Sequence, residues 1–210
     1  MLSSAAPRLL DLFCCAGGAA MGYYRAGFDV VGVDIKPQPH YPFGFVQADA
    51  LEYCAAHGRE FDAIHASPPC QKYSMIQRAN NNRELWPDLV DPTRRQLQAT
   101  GLPYVIENVE GAPLRVDLKL CGSSFGLGMI RHRIFESNVA MPLLTHPCDH
   151  RGMYDPWHKD GIDQLRQMSR AMGIEWMTKR DEVREAIPPA YTEYIGRYLM
   201  AAVQDRNHAE

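Results

Sequence analysis

The segment LLDLFCCAGGAAMGYYRAGFDVVGVDI, Leu9 to Ile35, changes its period twice. Leu9 to Cys14 is an apolar run of strand length, and Cys15-Ala16-Gly17-Gly18-Ala19-Ala20 is a turn of small residues. A helix follows and ends near Gly27. Asp29 to Ile35 returns to a strand with an acidic residue at its end. A strand, a glycine-bearing turn, a helix and a second strand make the opening unit of a parallel sheet.

Outward from this unit the alternation continues. Phe45 to Ala48 and Ala63 to Ala66 are further short apolar strands, with helical character from Leu51 to His57 between them. Tyr104 to Val109, YVIENV, is another strand. Arg131 to Phe135 alternates polar and apolar side chains, as a strand does when one face borders a site. A last helix is predicted from Pro189 to Val203, with proline in its first turn. From Gln71 to Pro92 the pattern breaks into an Asn- and Arg-rich stretch, predicted as one long mobile loop. The fold class expected is α/β, a doubly wound Rossmann-like sheet.

The composition narrows the function. The 210 residues, 46% hydrophobic, suit one domain with a sizeable core. No segment approaches the ~18 apolar residues of a membrane span, and the N-terminus lacks a basic stretch followed by an apolar run. A cytoplasmic protein without membrane contact is expected. The six cysteines are scattered, not spaced as a disulfide scaffold, which leaves thiols free for chemistry. A net charge of −3 lacks the basic footprint of a tight nonspecific nucleic-acid binder, so any nucleic-acid contact would have to come from local patches.

Two ends of the sheet edge carry candidate chemistry. At the first, the turn at Gly17 and Gly18 lets backbone N–H groups approach a ligand, while Asp34 is placed to accept from ribose hydroxyls and Asp49 from an adenine amino group. The dinucleotide fingerprint G-x-G-x-x-G is absent, since Cys15 and Ala20 stand at two of its glycines. The turn and both aspartates can equally be read as a plain turn and helix caps. At the second, Ser67-Pro68-Pro69-Cys70-Gln71 follows a strand, so the prolines present a thiol at the carboxyl edge. Glu107 ends a strand 37 residues later and reaches the same edge, and Arg131 and Arg133, two apart, share a face of the next strand. A nucleophile, an acid and two guanidiniums converge there.

In chain order, Asp11-Leu12-Phe13 with Gly17-Gly18, Asp34, Asp49, Pro69-Cys70-Gln71, Glu107-Asn108-Val109, Arg131-x-Arg133 and Ile187-Pro188-Pro189 resemble the cytosine-5 DNA methyltransferase family. The likeness covers residues 8–138 well and 177–203 loosely. It implies S-adenosylmethionine as cofactor and DNA with a flipped cytosine as partner. It further implies that Cys70 adds to ring carbon 6, that Glu107 holds a proton at ring nitrogen 3, and that Arg133 contacts the ring carbonyl with Arg131 in support. By the same likeness, Asp11, Phe13, Gly17, Gly18, Asp34, Asp49 and Pro69 would surround the cofactor. Gln71, Lys72, Ser74 and Asn108 would belong to the loop and nucleic-acid side.

The chain also departs from the family. Cys15 replaces a usual glycine, Met129 a usual glutamine, and Arg184-Glu185 a usual Gly-Asn pair, the last placing charge near the cofactor's methionine group. Only residues 139–176 stand where a target-recognition region is normally inserted. The expected division is therefore a catalytic and cofactor core over 1–138, a short irregular insertion over 139–176, and a closing segment with the C-terminal helix over 177–210. Sequence specificity is left to a short loop, a homodimer or a partner protein. Trp157, His158 and Lys159 are candidates for nucleic-acid contact. His146, Cys148 and His150 form an H-x-C-x-H cluster that would need Cys121 or His132 to bind zinc. The paired spacings of structural zinc sites are missing, so no metal is expected. The alternatives are the same chemistry on RNA or a free cytosine nucleotide, alkyl transfer from a modified S-adenosylmethionine, and a noncatalytic nucleic-acid binder. A nicotinamide oxidoreductase would leave Pro-Cys-Gln and Glu-Asn-Val without roles.

Overall fold

The computed structural model describes residues 5–73, 83–142, 148–153 and 162–209. Seven strands form one sheet: β1 (Arg8–Leu12), β2 (Asp29–Asp34), β3 (Gly44–Gln47), β4 (Ala63–Ala66), β5 (Tyr104–Asn108), β6 (Leu118–Leu120) and β7 (Arg133–Ser137), in the spatial order β3-β2-β1-β4-β5-β7-β6. The first five are parallel, and β7 runs antiparallel to both β5 and β6. This is the Rossmann-like, doubly wound α/β fold expected from the sequence.

Alternation along β1 explains both layers. Leu9 faces the side covered by α1 (Gly18–Arg25) and the C-terminal helix α6 (Pro189–Ala209), where Tyr23, Phe28, Tyr191, Ile195, Leu199 and Val203 are buried. Leu10 and Leu12 face the side covered by α2 (Ala50–His57) and α3 (Val90–Thr100), with Cys54, Ile64, Leu97 and Ile106. The α6 residues recur every four positions, one stripe of a helix.

The predicted loop to Pro92 is too long, because α3 already begins at Val90. Pro92 sits in its first turn, where a backbone N–H has no partner within the helix and its loss costs nothing. α1 likewise starts at Gly18, inside the predicted turn. The strand predicted from Arg131 starts at Arg133, so Arg131 lies ahead of it and does not share its face. β6, of three residues, was not predicted. The insertion is not irregular throughout, since it contains α4 (Ile162–Met172). With α5 (Arg180–Glu185), α4 builds a small third core of Met168, Met172, Ile174, Met177 and Val183 against Ala16 and Met129.

The topology puts many chain reversals at one edge. Backbone bonds from Cys14 N–H to Val33 O, Ala48 N–H to Asp34 O and Ser67 N–H to Leu12 O continue the ladder past the carboxyl ends of β1, β3 and β4. Because β7 is antiparallel, its first residues meet the end of β5, with Asn108 opposite Ile134. Arg133 therefore enters the same edge from the opposite direction.

Candidate active site

Cys70 lies partly buried in the turn after β4, its carbonyl accepting from Tyr73 N–H at 2.9 Å. The turn is held from below by Asn108, whose buried amide donates to Pro68 O at 2.9 Å and whose side-chain oxygen accepts from Val109 N–H. Asn108 was expected on the nucleic-acid side, but burial removes it from any such face. Its observed work is to brace the Pro-Pro-Cys turn. Tyr73 donates to Asp88, and Lys72 Nζ lies 3.5 Å from Asp88 Oδ2, so the two ends of the loop are tied at one carboxylate. Gln71 and Pro69 are partly buried in the same turn; Ser74, and Trp157 to Lys159, lie outside the described residues.

Glu107 is buried and paired with Arg133, whose Nε is 2.7 Å from Glu107 Oε1. Burial pushes the Glu107 carboxyl above its ordinary range, and Arg133 and then Arg131 pull it back. Burial also raises the Cys70 thiol, with Glu107 the strongest charge adding to that rise and Arg133 the cation opposing it. The three groups are thus electrostatically coupled.

Behind Glu107 runs a polar chain that the sequence did not reveal. Tyr23 Oη is 2.9 Å from His65 Nδ1, His65 Nε2 is 2.8 Å from Ser67 Oγ, and the Ser67 hydroxyl hydrogen-bonds Glu107. Burial holds the His65 pKa down at about 3, so the ring is neutral. The direction that satisfies every group has Tyr23 donating to His65, His65 to Ser67, and Ser67 to Glu107. A lone histidine in the apolar strand Ala63-Ile64-His65-Ala66 was the only signal available.

Arg131 does different work from Arg133. Fully enclosed, it donates through Nε and Nη2 to Ala186 O at 3.1 and 2.5 Å, and through Nη2 to Arg184 O at 2.6 Å. Burial lowers its pKa to about 9, which leaves it cationic at neutral pH. Tyr191 donates to the Arg131 carbonyl at 2.5 Å, so the closing segment and this arginine hold each other.

The glycine turn is packed by protein. Gly17 has φ +83°, and a side chain on Gly18 would come within 2.6 Å of Ile187 O, so both glycines are required by the fold itself. Phe13 and Cys15, also with positive φ, form the rest of a strained turn that Trp176 closes by donating to Ala16 O at 3.0 Å. Asp34, buried, accepts from Cys15 and Lys36 N–H at 3.0 and 2.9 Å. Asp49 is exposed and caps α2 through Leu51 and Glu52 N–H, the plainer of its two readings. Asp11 is fully buried, so the structure takes it away from a cofactor surface. Tyr41 donates to it at 3.3 Å, and burial lifts its pKa to about 8. Glu185 faces Cys15, with Oε2 4.0 Å from the thiol, and also raises the pKa of Cys70. Ile35, directly after Asp34, is exposed at this edge, an apolar surface the sequence reading passed over.

No family model matches the chain. Among curated proteins it is similar to the Type II methyltransferase M.XorII of Xanthomonas oryzae pv. oryzae, 28% identical over 96% of this chain and 46% of the relative. It is also similar to the Type II methyltransferase M.AplI of Arthrospira platensis, 24% identical over 90% of this chain and 59% of the relative. The chain thus spans about half the length of the curated relatives it matches. Among solved structures, the S. pombe Dnmt2 methyltransferase aligns with a TM-score of 0.45 and 18% identity, over 78% of this chain and 54% of that one. The Entamoeba histolytica methyltransferase EhMeth aligns with a TM-score of 0.48 and 11% identity, over 96% and 97%.

Proposed function

We propose that this chain transfers a methyl group from S-adenosylmethionine to carbon 5 of a cytosine in DNA, through a transient bond between Cys70 Sγ and ring carbon 6. The observation that carries the reading is the coupling of a partly buried thiol to a buried Glu107–Arg133 pair at the carboxyl edge of the sheet. The names of the two curated relatives support its coarser part, a methyltransferase.

The residues at the glycine turn fit the cofactor. α1 begins with no side-chain cap and no acidic residue in its first turn, which suits a carboxylate near its N–H groups. The Asp34 carboxylate and the exposed Ile35 stand beside it for hydroxyl and flat-ring contacts. Glu185 adds a negative charge that suits an ammonium group. When bound, S-adenosylmethionine supplies the electrophilic methyl group.

The protein's own groups then have distinct tasks. Cys70 is a thiol at rest, because burial, Glu107 and Glu185 all oppose its ionisation. A proton on Glu107 removes the largest opposing charge and can be held at ring nitrogen 3, so one protonation favours both the thiolate and its addition to the ring. Arg133 would offset the negative charge that develops during addition and, by the family resemblance, contact the ring carbonyl. Arg131 acts from behind, fixing the closing segment. Lys72 and Gln71, at the neck of the loop, are assigned by the family resemblance to contact with the DNA strand.

Incubation with isotopically labelled cofactor and either duplex DNA, RNA or cytidine triphosphate, followed by nucleoside mass spectrometry, tests the reading. Labelled 5-methylcytosine from DNA alone is the expected product. Label in RNA or nucleotide only, or on another atom of the base, contradicts it.

A further inference from the structure

The fold gathers four donor side chains that no step above uses. Cys121 follows β6, His132 immediately precedes β7, and Cys148 and His150 come from the segment after residue 142. Cys121 Sγ is 3.4 Å from His150 Nε2, Cys148 Sγ is 3.5 Å from His132 Nε2, and all four donor atoms lie within 4.8 Å of one another. In a tetrahedral zinc site with ordinary Zn–S and Zn–N bonds, a sulfur and a nitrogen ligand are about 3.6 Å apart. The observed separations are those of donors around a common centre.

A second feature fixes the tautomer. His132 Nδ1 is 2.9 Å from Glu110 Oε2, and Lys119 Nζ holds Glu110 Oε1 at 2.5 Å. Nδ1–H donates to the carboxylate, which leaves the Nε2 lone pair pointing among the other three donors. A carboxylate behind a metal-bound imidazole is the usual arrangement for orienting such a ligand.

We propose that Cys121, His132, Cys148 and His150 bind one zinc ion as a closed structural site. Two thiolates and two imidazoles select zinc over hard cations such as magnesium or calcium. Four protein ligands leave no position for a reacting water. Binding releases the two thiol protons to solvent and changes no oxidation state. The ion ties the segment at 148–150, which has no regular secondary structure, to the β6–β7 hairpin. His132 stands between Arg131 and Arg133, so the same ion anchors the chain where Arg131 turns to the closing segment and Arg133 to Glu107. The proposal stands whether or not the chain methylates DNA.

The spacing C-x10-H-x15-C-x-H lacks the paired pattern of familiar zinc modules, and for that reason the sequence argued against a metal. His146, the third member of the apparent H-x-C-x-H cluster, lies outside the described residues.

The test is metal analysis of the whole purified chain. Elemental mass spectrometry of the wild type is expected to give about one zinc per chain. Replacing zinc by cobalt(II) should give the intense visible bands of a tetrahedral site together with thiolate-to-cobalt charge transfer. Cys148→Ser and His150→Ala remove exposed donors with little cost to folding, and each should lose the metal. Glu110→Gln should keep it with affinity reduced about 10–100-fold. A folded wild type without zinc and without a tetrahedral cobalt spectrum, a Cys121–Cys148 disulfide in the isolated protein, or full zinc in both donor variants would overturn the proposal.

Discussion

Arg133 Nε lies 2.7 Å from Glu107 Oε1, and both side chains are buried beside Cys70. The ion pair is therefore also the local field in which the thiol ionises. Glu107 opposes the thiolate and Arg133 favours it, which gives the two residues opposite and measurable effects on one sulfur.

Glu107→Gln should shift the pH profile of Cys70 alkylation downward, because it removes the charge that most raises the thiol pKa, and should abolish methyl transfer. Arg133→Ala should shift the profile upward. Iodoacetamide labelling followed by peptide mass spectrometry separates Cys70 from the exposed Cys148. Profiles that move together, or not at all, would show that the pair does not control the thiol.

Asp11 makes stability depend on pH. Its carboxyl titrates near 8 when folded against 3.8 otherwise, so the folded state holds a proton that the unfolded chain gives up. This group's contribution is fully present below about pH 3.8 and is lost as pH rises towards and through 8. Asp11→Asn, which keeps the shape without the charge, should gain stability relative to wild type by up to about 1.4 kcal/mol for each pH unit within that window. Urea denaturation at pH 5, 7 and 9 measures the difference. A constant difference would mean that Asp11 is ionised in the folded protein.

Arg131→Ala should destabilise the fold by about 3–5 kcal/mol, since it strips the buried Ala186 carbonyl and the part-buried Arg184 carbonyl of their shared donor. Gly18→Ala should cost about 1–3 kcal/mol by pushing a methyl group against Ile187 O. Both changes act on the closing segment, so the double variant should lose less than the sum of the singles, a coupling that thermal melts can detect. Strict additivity would place the two contacts in independent regions.

Legibility in the sequence followed local signals. β4 was read at its true bounds, Ala63 to Ala66, because a short apolar run after a polar stretch admits little else. The edge bearing Cys70 and Glu107 followed from strand ends alone. Arg131 was misassigned because alternation does not say where a strand starts, and backbone acceptors 53 and 55 residues away decide its orientation. Asp34 and Asp49 look alike as acidic residues near strand ends, yet one is drawn into a strained turn and the other caps a helix. α4 was hidden among prolines and glycines, and its methionines pack mainly against α5 and Met129, far away in sequence. The four clustered sulfur and nitrogen donors come together only through the β6–β7 hairpin, a pairing that three-residue β6 barely signals.

Trapping on duplex DNA that carries 5-fluorocytosine tests the central claim most directly. Fluorine at carbon 5 blocks the release that follows methyl transfer, so a chain that works through Cys70 should remain bound through Sγ when S-adenosylmethionine is present. The wild type should give a complex that survives denaturing electrophoresis, and Cys70→Ala or omission of the cofactor should give none. A folded wild type that binds cofactor and duplex yet forms no such complex, or a Cys70→Ala variant that still forms it, would contradict the assignment of Cys70 as the nucleophile.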